Sequence, residues 1–501
     1  MKLSRNLLVG LTSSIWTVLL GLAVVPLYLK YLGVEAYGLI GFFITMQAML
    51  QLLDMGMAST INREIARYTA SGNLPEAAKL LHSFAVIYWG VAVAIAGVIF
   101  ALAPMIANHW LQPKQLSVEA VSHTVMLMGL VVACRWPAGL YQGALIGAHR
   151  LAVPSVINMA MTTIGSLGAV AILAFISPTI EVFFFWQVGI GLTQAIIMRM
   201  AAWRVIGRID GVSFDKHTIR PVLKFSLGVG TISLAGLVLT QLDKTILSKT
   251  LLLADFGKYM LANMVAGGLY ILISPVFNVV YPKFSALVAQ QKFDELLLQY
   301  RTASQGMAVL LFPLAMAVIL AGQPLLRLWM GNASLAAEIA PVMALLLAAY
   351  ALHGMMHIPY ALMLAHGVVW PMFKVYVALI VIMVPLTAGL SILHGVMGGG
   401  GAQLVLFMLY LLIGIWYTHK SCLKGYALTW LSKDLGVPMG VTIICGIAGY
   451  LVIMEFRAHE QGIMAELLTG GFAWGMASAL SVYLTPCIRE LVKGRWKLHL
   501  I

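Results

Sequence analysis

Residues 220–259 read RPVLKFSLGVGTISLAGLVLTQLDKTILSKTLLLADFGKY, and they repeat the chain's own opening, residues 5–38, RNLLVGLTSSIWTVLLGLAVVPLYLKYLGVEAYG. Both copies have a basic start, a long apolar run, a late lysine and a closing glycine. The register is constant: Arg5 pairs with Lys224, Lys30 with Lys249, Gly38 with Gly257 and Glu76 with Glu295, each 219 residues apart. A period this long marks the duplication of a whole bundle rather than a solenoid unit. Two similar helical lobes facing one another are expected.

The surrounding composition sets the solvent. Of 501 residues, 61% are hydrophobic and only 10% charged, and the mean hydropathy is +0.94. So little polar surface does not clothe a soluble globule. A membrane-spanning helix needs about 20 largely apolar residues, and about fourteen stretches meet that template. Alternating ten-residue strands of a membrane barrel are absent. The opening MKLSRN leads into an apolar run too long for a signal peptide, so it is read as a retained first span. The fold expected is an all-α polytopic membrane protein of about fourteen transmembrane helices: two pseudo-symmetric six-helix lobes plus two C-terminal helices.

Charge distribution gives the orientation. The inner side, if it holds the amino terminus, carries 23 of the 31 Lys and Arg residues, leaving Lys30, Lys114, Arg135, Lys244, Lys249, Lys258, Arg327 and Arg457 outside or within spans. Lys and Arg accumulate on the cytoplasmic side, so both termini are expected to be cytoplasmic. Most of the net charge of +13 is then a topology signal rather than a mark of nucleic-acid binding, with part of it available to an anionic substrate. The polar segment 203–221 contains Asp210-Gly211 and precedes the second copy of the repeat. It divides the chain into lobes 1–210 and 211–420, and residues 421–501 form an appendix without a counterpart in the first lobe. Residues 59–82 read as a short basic surface helix, a Ser-Gly-Asn turn and a helix started by Pro75.

Chemical motifs are few. Cys134, Cys422, Cys445 and Cys487 are scattered, with neither C-x-x-C nor metal spacing. No phosphate-cradling G-x-x-x-x-G-K-[ST] occurs. Outer loops are short, and only Glu35 stands in the first, whereas a membrane glycosyltransferase or polymerase calls for a larger outer loop with paired carboxylates. No enzyme, cofactor or metal is implied.

The opening Ser4-Arg5-Asn6 to Gly38, the segment LLDMGMASTINREIARYTASG at 52–72 and LTQLDKTILSK at 239–249 together resemble the polysaccharide transporter branch of the multidrug/oligosaccharidyl-lipid/polysaccharide (MOP) exporter superfamily. They are similar to segments of Wzx-type O-antigen flippases, and the likeness covers roughly residues 1–420. The resemblance implies two six-helix lobes around a cavity that opens alternately to each side. It also implies a substrate class, an undecaprenyl-pyrophosphate-linked oligosaccharide (an O-antigen or related repeat unit) carried to the periplasmic leaflet of a bacterial inner membrane. A polysaccharide polymerase and a chain-length regulator are the partners that accompany such a role in lipopolysaccharide biosynthesis, together with membrane lipids. The rivals are a multidrug or cation exporter of the same fold, and a membrane glycosyltransferase or polymerase.

Within the spans, Arg135 stands out because it lies too deep to snorkel, and a central Arg costs about 2.5–3.5 kcal/mol on insertion scales. It reads as a cavity cation for the pyrophosphate or as half of a buried ion pair. Asp243 and Lys244, adjacent near the outer end of the seventh span, point in different directions along a helix, so each is expected to need its own partner. Asp243 is the candidate for ion coupling and Lys244 for substrate phosphate, with a headgroup-facing interfacial pair as the plain alternative. Arg63 and Lys30 complete the candidate substrate contacts, although Arg63 and Arg67 also read as ordinary topology signals. Asp54 is expected near the inner surface beside these two arginines. His353 and His357 have the i, i+4 spacing of a metal pair but lack a third ligand, and read as packed or cavity-lining.

Overall fold

The computed structural model describes residues 2–207, 234–368, 370–459 and 462–493, and among these every regular element is helical. In chain order the helices are α1 (Lys2–Leu50), α2 (Met57–Ala70), α3 (Leu74–Met105), α4 (Val118–Gly147), α5 (Ala152–Phe175), α6 (Ile180–Ile206), α7 (234–250), α8 (Leu253–Gly267) and α9 (Tyr270–Ala289). They continue as α10 (Phe293–Leu320), α11 (Gly322–Met330), α12 (Ala333–Met355), α13 (His357–Ala365), α14 (Trp370–Ser421), α15 (Ala427–Thr429), α16 (Gly436–Ala458), α17 (Ile463–Leu484) and α18 (Pro486–Val492). The expected lobe boundary in 203–221 falls largely outside the described residues, as do Arg495 and Lys497 of the basic tail.

Eleven of the described helices are long and apolar enough to cross a membrane. Two of them, α1 and α14, have 49 and 52 residues; at about 1.5 Å per residue each exceeds twice the hydrocarbon thickness of about 30 Å. Each is therefore two crossings. Their bends fall at Gly33 (φ 80°) and Gly395 (φ 58°), positions in the left-handed region where only glycine escapes a Cβ clash. Counting these two twice, the described residues hold thirteen candidate crossings, against the fourteen or so expected for the whole chain.

The chain divides into two compact units, Met1–Gly257 and Lys258–Ile501. In the first, α4 packs on α2, α3 and α6, while α1 lies along α5. Helix α2 is amphipathic: Met57, Ile61 and Ile65, one turn apart, are buried against Phe84, Tyr88, Tyr141 and Met198. At one end of this unit Glu35 is buried, and its carboxylate accepts the backbone N–H groups of Lys114, Gln115 and Leu116 at 2.7–3.3 Å. The carboxylate thus fixes the loop between α3 and α4. That loop in turn holds the end of α7, through Trp110 Nε1 to Ser248 Oγ at 3.0 Å and Gln112 Nε2 to the Lys249 carbonyl at 2.8 Å.

In the second unit α10 lies against α9, α12, α16 and α17. Residues 421–501, read as an appendix, are bonded into this unit by a buried carboxylate. Asp434 accepts from Gln305 Nε2 of α10 and from the Tyr426 hydroxyl, both at 2.7 Å, and stands 3.6 Å from Arg301. Trp430 donates to Ser304 at 2.8 Å, and the Cys487 N–H donates to Gln305 Oε1 at 3.1 Å.

Candidate functional site

A cavity of about 420 Å³ opens in the first unit. Its polar lining comes from α1 and the 3-10 turn that ends it (Gln47, Gln51, Asp54), from the start of α2 (Ser59), from α3 (Tyr88) and from α4 (Arg135, Trp136); Leu234 and Leu237 of α7 close one side. The turn exists because Met55 (φ 45°) and Gly56 (φ 77°) reverse the backbone between α1 and α2.

Arg135 lies midway along α4. Its Nη2 donates to Gln187 Oε1 at 2.7 Å, and its guanidinium sits 5.8 Å from the centre of the Phe43 ring. Gln187 is oriented in turn by donating its own N–H to the Gly165 carbonyl at 3.4 Å, which aims its oxygen at Arg135. The side chain fits because Gly191 opposes it: a Cβ there would lie 3.1 Å from Arg135 Cγ. The partner is an amide, so Gln187 leaves the positive charge of Arg135 unneutralised. Arg135 Nε and Trp136 Nε1 are enclosed and without acceptors.

Asp54 corrects the sequence reading. It lines this cavity rather than pairing with Arg63 and Arg67, and it accepts the Tyr88 hydroxyl and, at 3.3 Å, the Ala58 N–H at the start of α2. The two arginines instead flank buried Glu64, at 2.7 and 2.8 Å, with their own side chains largely exposed. Three residues on one helical face, Gln47, Gln51 and Asp54, carry the signal that identifies this wall, because polar groups at i, i+4 and i+7 of a span are costly unless they meet water or a partner.

Asp243 and Lys244 give a second correction. Both are buried, and Lys244 Nζ reaches Asp243 Oδ1 and Oδ2 at 3.2 and 3.3 Å while also donating to the Thr240 carbonyl at 3.0 Å. The long lysine chain folds back over the preceding turn, so adjacent positions do neutralise one another. Neither residue lines the cavity. Lys30 is exposed, with its Nζ 5.6 Å from the Tyr31 ring centre. Among the described residues no group of three His, Cys, Asp or Glu side chains is arranged to hold a metal ion.

The profile of the polysaccharide biosynthesis protein family matches residues 3–288, more than half the chain. The chain belongs to that family. Its fold is shared with solved membrane transporters at low identity. An inward closed conformation of the lipid II flippase MurJ superposes with a TM-score of 0.71 at 14% identity, covering 97% of this chain and 100% of that one. An inward-facing multidrug resistance MATE transporter of the MOP superfamily gives 0.63 at 13% identity, covering 81% and 94%. The Vibrio cholerae MATE transporter VcmN gives 0.58 at 15% identity, covering 86% and 98%. Curated protein sequences contain no match. This member of the polysaccharide biosynthesis family therefore has the fold of MOP-superfamily transporters and flippases.

Proposed function

We propose that the chain is a flippase that moves an undecaprenyl-pyrophosphate-linked oligosaccharide, an O-antigen or related repeat unit, from the cytoplasmic to the periplasmic leaflet by alternating access. The observation that carries this reading is Arg135: a guanidinium in a cavity wall, held by a neutral amide, with its charge available to an anion. Arg matches the fork geometry of a phosphate. Sugar hydroxyls do not cross hydrocarbon unaided, because each unsatisfied polar group there costs several kcal/mol, and a hydrated cationic cavity removes that barrier. With the cytoplasm negative, outward movement of each uncompensated negative charge gains about 2.3 kcal/mol per 100 mV. On this reading the protein sits in a bacterial inner membrane with cytoplasmic termini and no covalent chemistry, and it supplies a polymerase and a chain-length regulator.

The test is leaflet translocation of the lipid-linked unit in proteoliposomes. A charge-assisted hydrogen bond contributes roughly 1.5–3 kcal/mol, so Arg135→Ala is expected to slow translocation by about ten- to a hundredfold, and Arg135→Lys to retain part of the rate. Normal translocation by Arg135→Ala removes the residue from the mechanism. Asp54 favours a second reading, a cation exporter, since a cavity carboxylate attracts positive charge. Efflux of a cationic dye by the wild type without lipid translocation would establish that alternative.

A further inference from the structure

On the expected orientation, eight basic residues stand outside or within spans, against the inside preference of Lys and Arg. Most of them have a local partner. Lys244 meets Asp243 at 3.2 Å, Lys258 meets Glu338 at 2.6 Å, Lys249 lies 5.0 Å from the centre of the Trp110 ring, and Arg135 donates to Gln187. Arg327 is different: its side chain is exposed, and among the described residues its guanidinium meets no carboxylate or other acceptor.

Arg327 and Arg457, far apart in sequence, come together in the second unit. With Gln323, Pro324, Ile463 and Glu466 they line a pocket of about 270 Å³. Each arginine sits in the last turn of its helix, α11 or α16, and Glu466 in the first turn of α17. The helix dipoles favour these signs at these ends, but they do not account for two guanidiniums in one pocket. Arg457 forks onto the Glu466 carboxylate, Nε to Oε1 at 3.1 Å and Nη2 to Oε2 at 2.6 Å, and that pair is neutral. The pocket therefore keeps one net positive charge, that of Arg327, beside a second guanidinium side chain that is still 44% exposed.

The rim decides which anion fits. Gln323 and Arg327, one turn apart, form the polar face of α11, while Leu325 and Leu328 on the adjoining face are exposed, as are Met464 and Leu468 of α17. A short helix with such faces, set between spans, lies at the level of the lipid headgroups with its leucines toward the hydrocarbon. A lipid phosphate with its acyl chains meets both the cations and the apolar rim, whereas a free phosphate leaves the rim unused. We propose that Arg327, Arg457 and Glu466 form a site for the phosphate of an anionic phospholipid, in the outer leaflet on the expected orientation. The bound lipid ties α11 to the last hairpin, α16–α17. The site belongs to the second unit, whereas the Arg135 cavity belongs to the first, and it is independent of the cargo.

The experiment titrates the full-length protein in detergent with phosphatidylglycerol, phosphatidylcholine, undecaprenyl phosphate or inorganic phosphate. Native mass spectrometry counts bound lipid, and the melting temperature is recorded alongside. The wild type is expected to bind phosphatidylglycerol about fivefold more tightly than phosphatidylcholine, the scale of one uncompensated basic side chain at an anionic lipid surface. Arg327→Gln should bring that ratio close to one with phosphatidylcholine binding and the lipid-free melting temperature unchanged, and Arg327→Lys should retain it. Glu466→Gln leaves Arg457 unpaired, so the ratio should rise further even though the lost ion pair lowers the lipid-free melting temperature. A wild-type ratio near one, or an unchanged ratio in Arg327→Gln, overturns the site. A ratio that falls in Glu466→Gln does so too, since it marks a pair that only holds the hairpin together. Displacement of phosphatidylglycerol by equimolar inorganic phosphate marks a free-anion pocket, and tighter binding of undecaprenyl phosphate reassigns the pocket to the transported lipid; either result overturns the phospholipid assignment.

Discussion

Glu35 shows how a single side chain can organise a loop. An acceptor-only carboxylate satisfies three consecutive N–H donors that would otherwise be orphaned where the chain turns between α3 and α4. Replacing one carboxylate oxygen by an amide group leaves at least one buried donor facing another donor, at roughly 1–3 kcal/mol. Glu35→Gln is therefore expected to lower the melting temperature of the detergent-purified protein, with Glu295→Gln, an exposed control, unchanged. Cys422, between α14 and α15, is another local case: burial pushes its thiol up to about 11. The folded state favours the neutral thiol, so a variant keeping only this cysteine should react slowly with maleimide at pH 7. Its rate should climb as pH rises toward that value, and the same sign makes ionisation oppose the fold, so any stability effect appears only on the alkaline side. Rapid alkylation at neutral pH would show an exposed thiol.

Among the elements, the contact of α1 with α8 repeats the symmetry of the sequence. A Cβ on Gly38 would lie 2.3 Å from the Leu253 carbonyl oxygen, and one on Gly257 would lie 2.4 Å from that of Val34. The 219-residue offset relates Gly38 to Gly257 and also Val34 to Leu253, so equivalent positions of the two copies of the repeat meet reciprocally. Both helices need glycine because backbone faces backbone there. Gly38→Ala and Gly257→Ala should each destabilise the protein by about 1–3 kcal/mol, the usual overpacking range, and by similar amounts; thermal unfolding of the two variants checks this. The last crossings make a second element-scale case. Asp434→Ala strands Gln305, Tyr426 and Arg301, and loss of one partner in a buried charged network costs about 3–5 kcal/mol. Truncation after Lys433, tolerable for a mere appendix, is thus expected to abolish the monodisperse peak in size-exclusion chromatography.

For the whole molecule, the proposed flippase reading, with its even number of crossings, places both ends of the chain on one side of the membrane. Reporter fusions at Gly72, Gln291 and the carboxyl terminus are expected to give cytoplasmic signals, and fusions at Leu111 and Gly331 periplasmic ones. A periplasmic signal at either of the first two sites contradicts the charge-derived orientation. The fusions test the orientation directly, since both copies of the repeat are expected to enter the membrane in the same sense.

The class of the protein and its long apolar helices follow from the sequence alone, because hydropathy adds residue by residue along each span and the solvent reads it locally. The constant offset needed only counting, and it anticipated the paired glycines. Arg135 was legible for the same reason: its depth in an apolar run is a one-dimensional fact. What surrounds it was not. Gln187 lies 52 residues away and Glu35 contacts a loop about 80 residues on, and no spacing rule links them. Asp54 looked like a surface residue until the reversal at Met55 and Gly56 turned it into the cavity, and Lys244 looked unpaired until its chain folded back on Asp243. His353 and His357 read as packed or cavity-lining from the sequence, but the break at Met356 and the Tyr270 and Phe407 rings against His353 belong to the tertiary structure. Partners, breaks and cavity walls depend on which helices meet and at what rotation, and that is decided only when packing brings distant residues together.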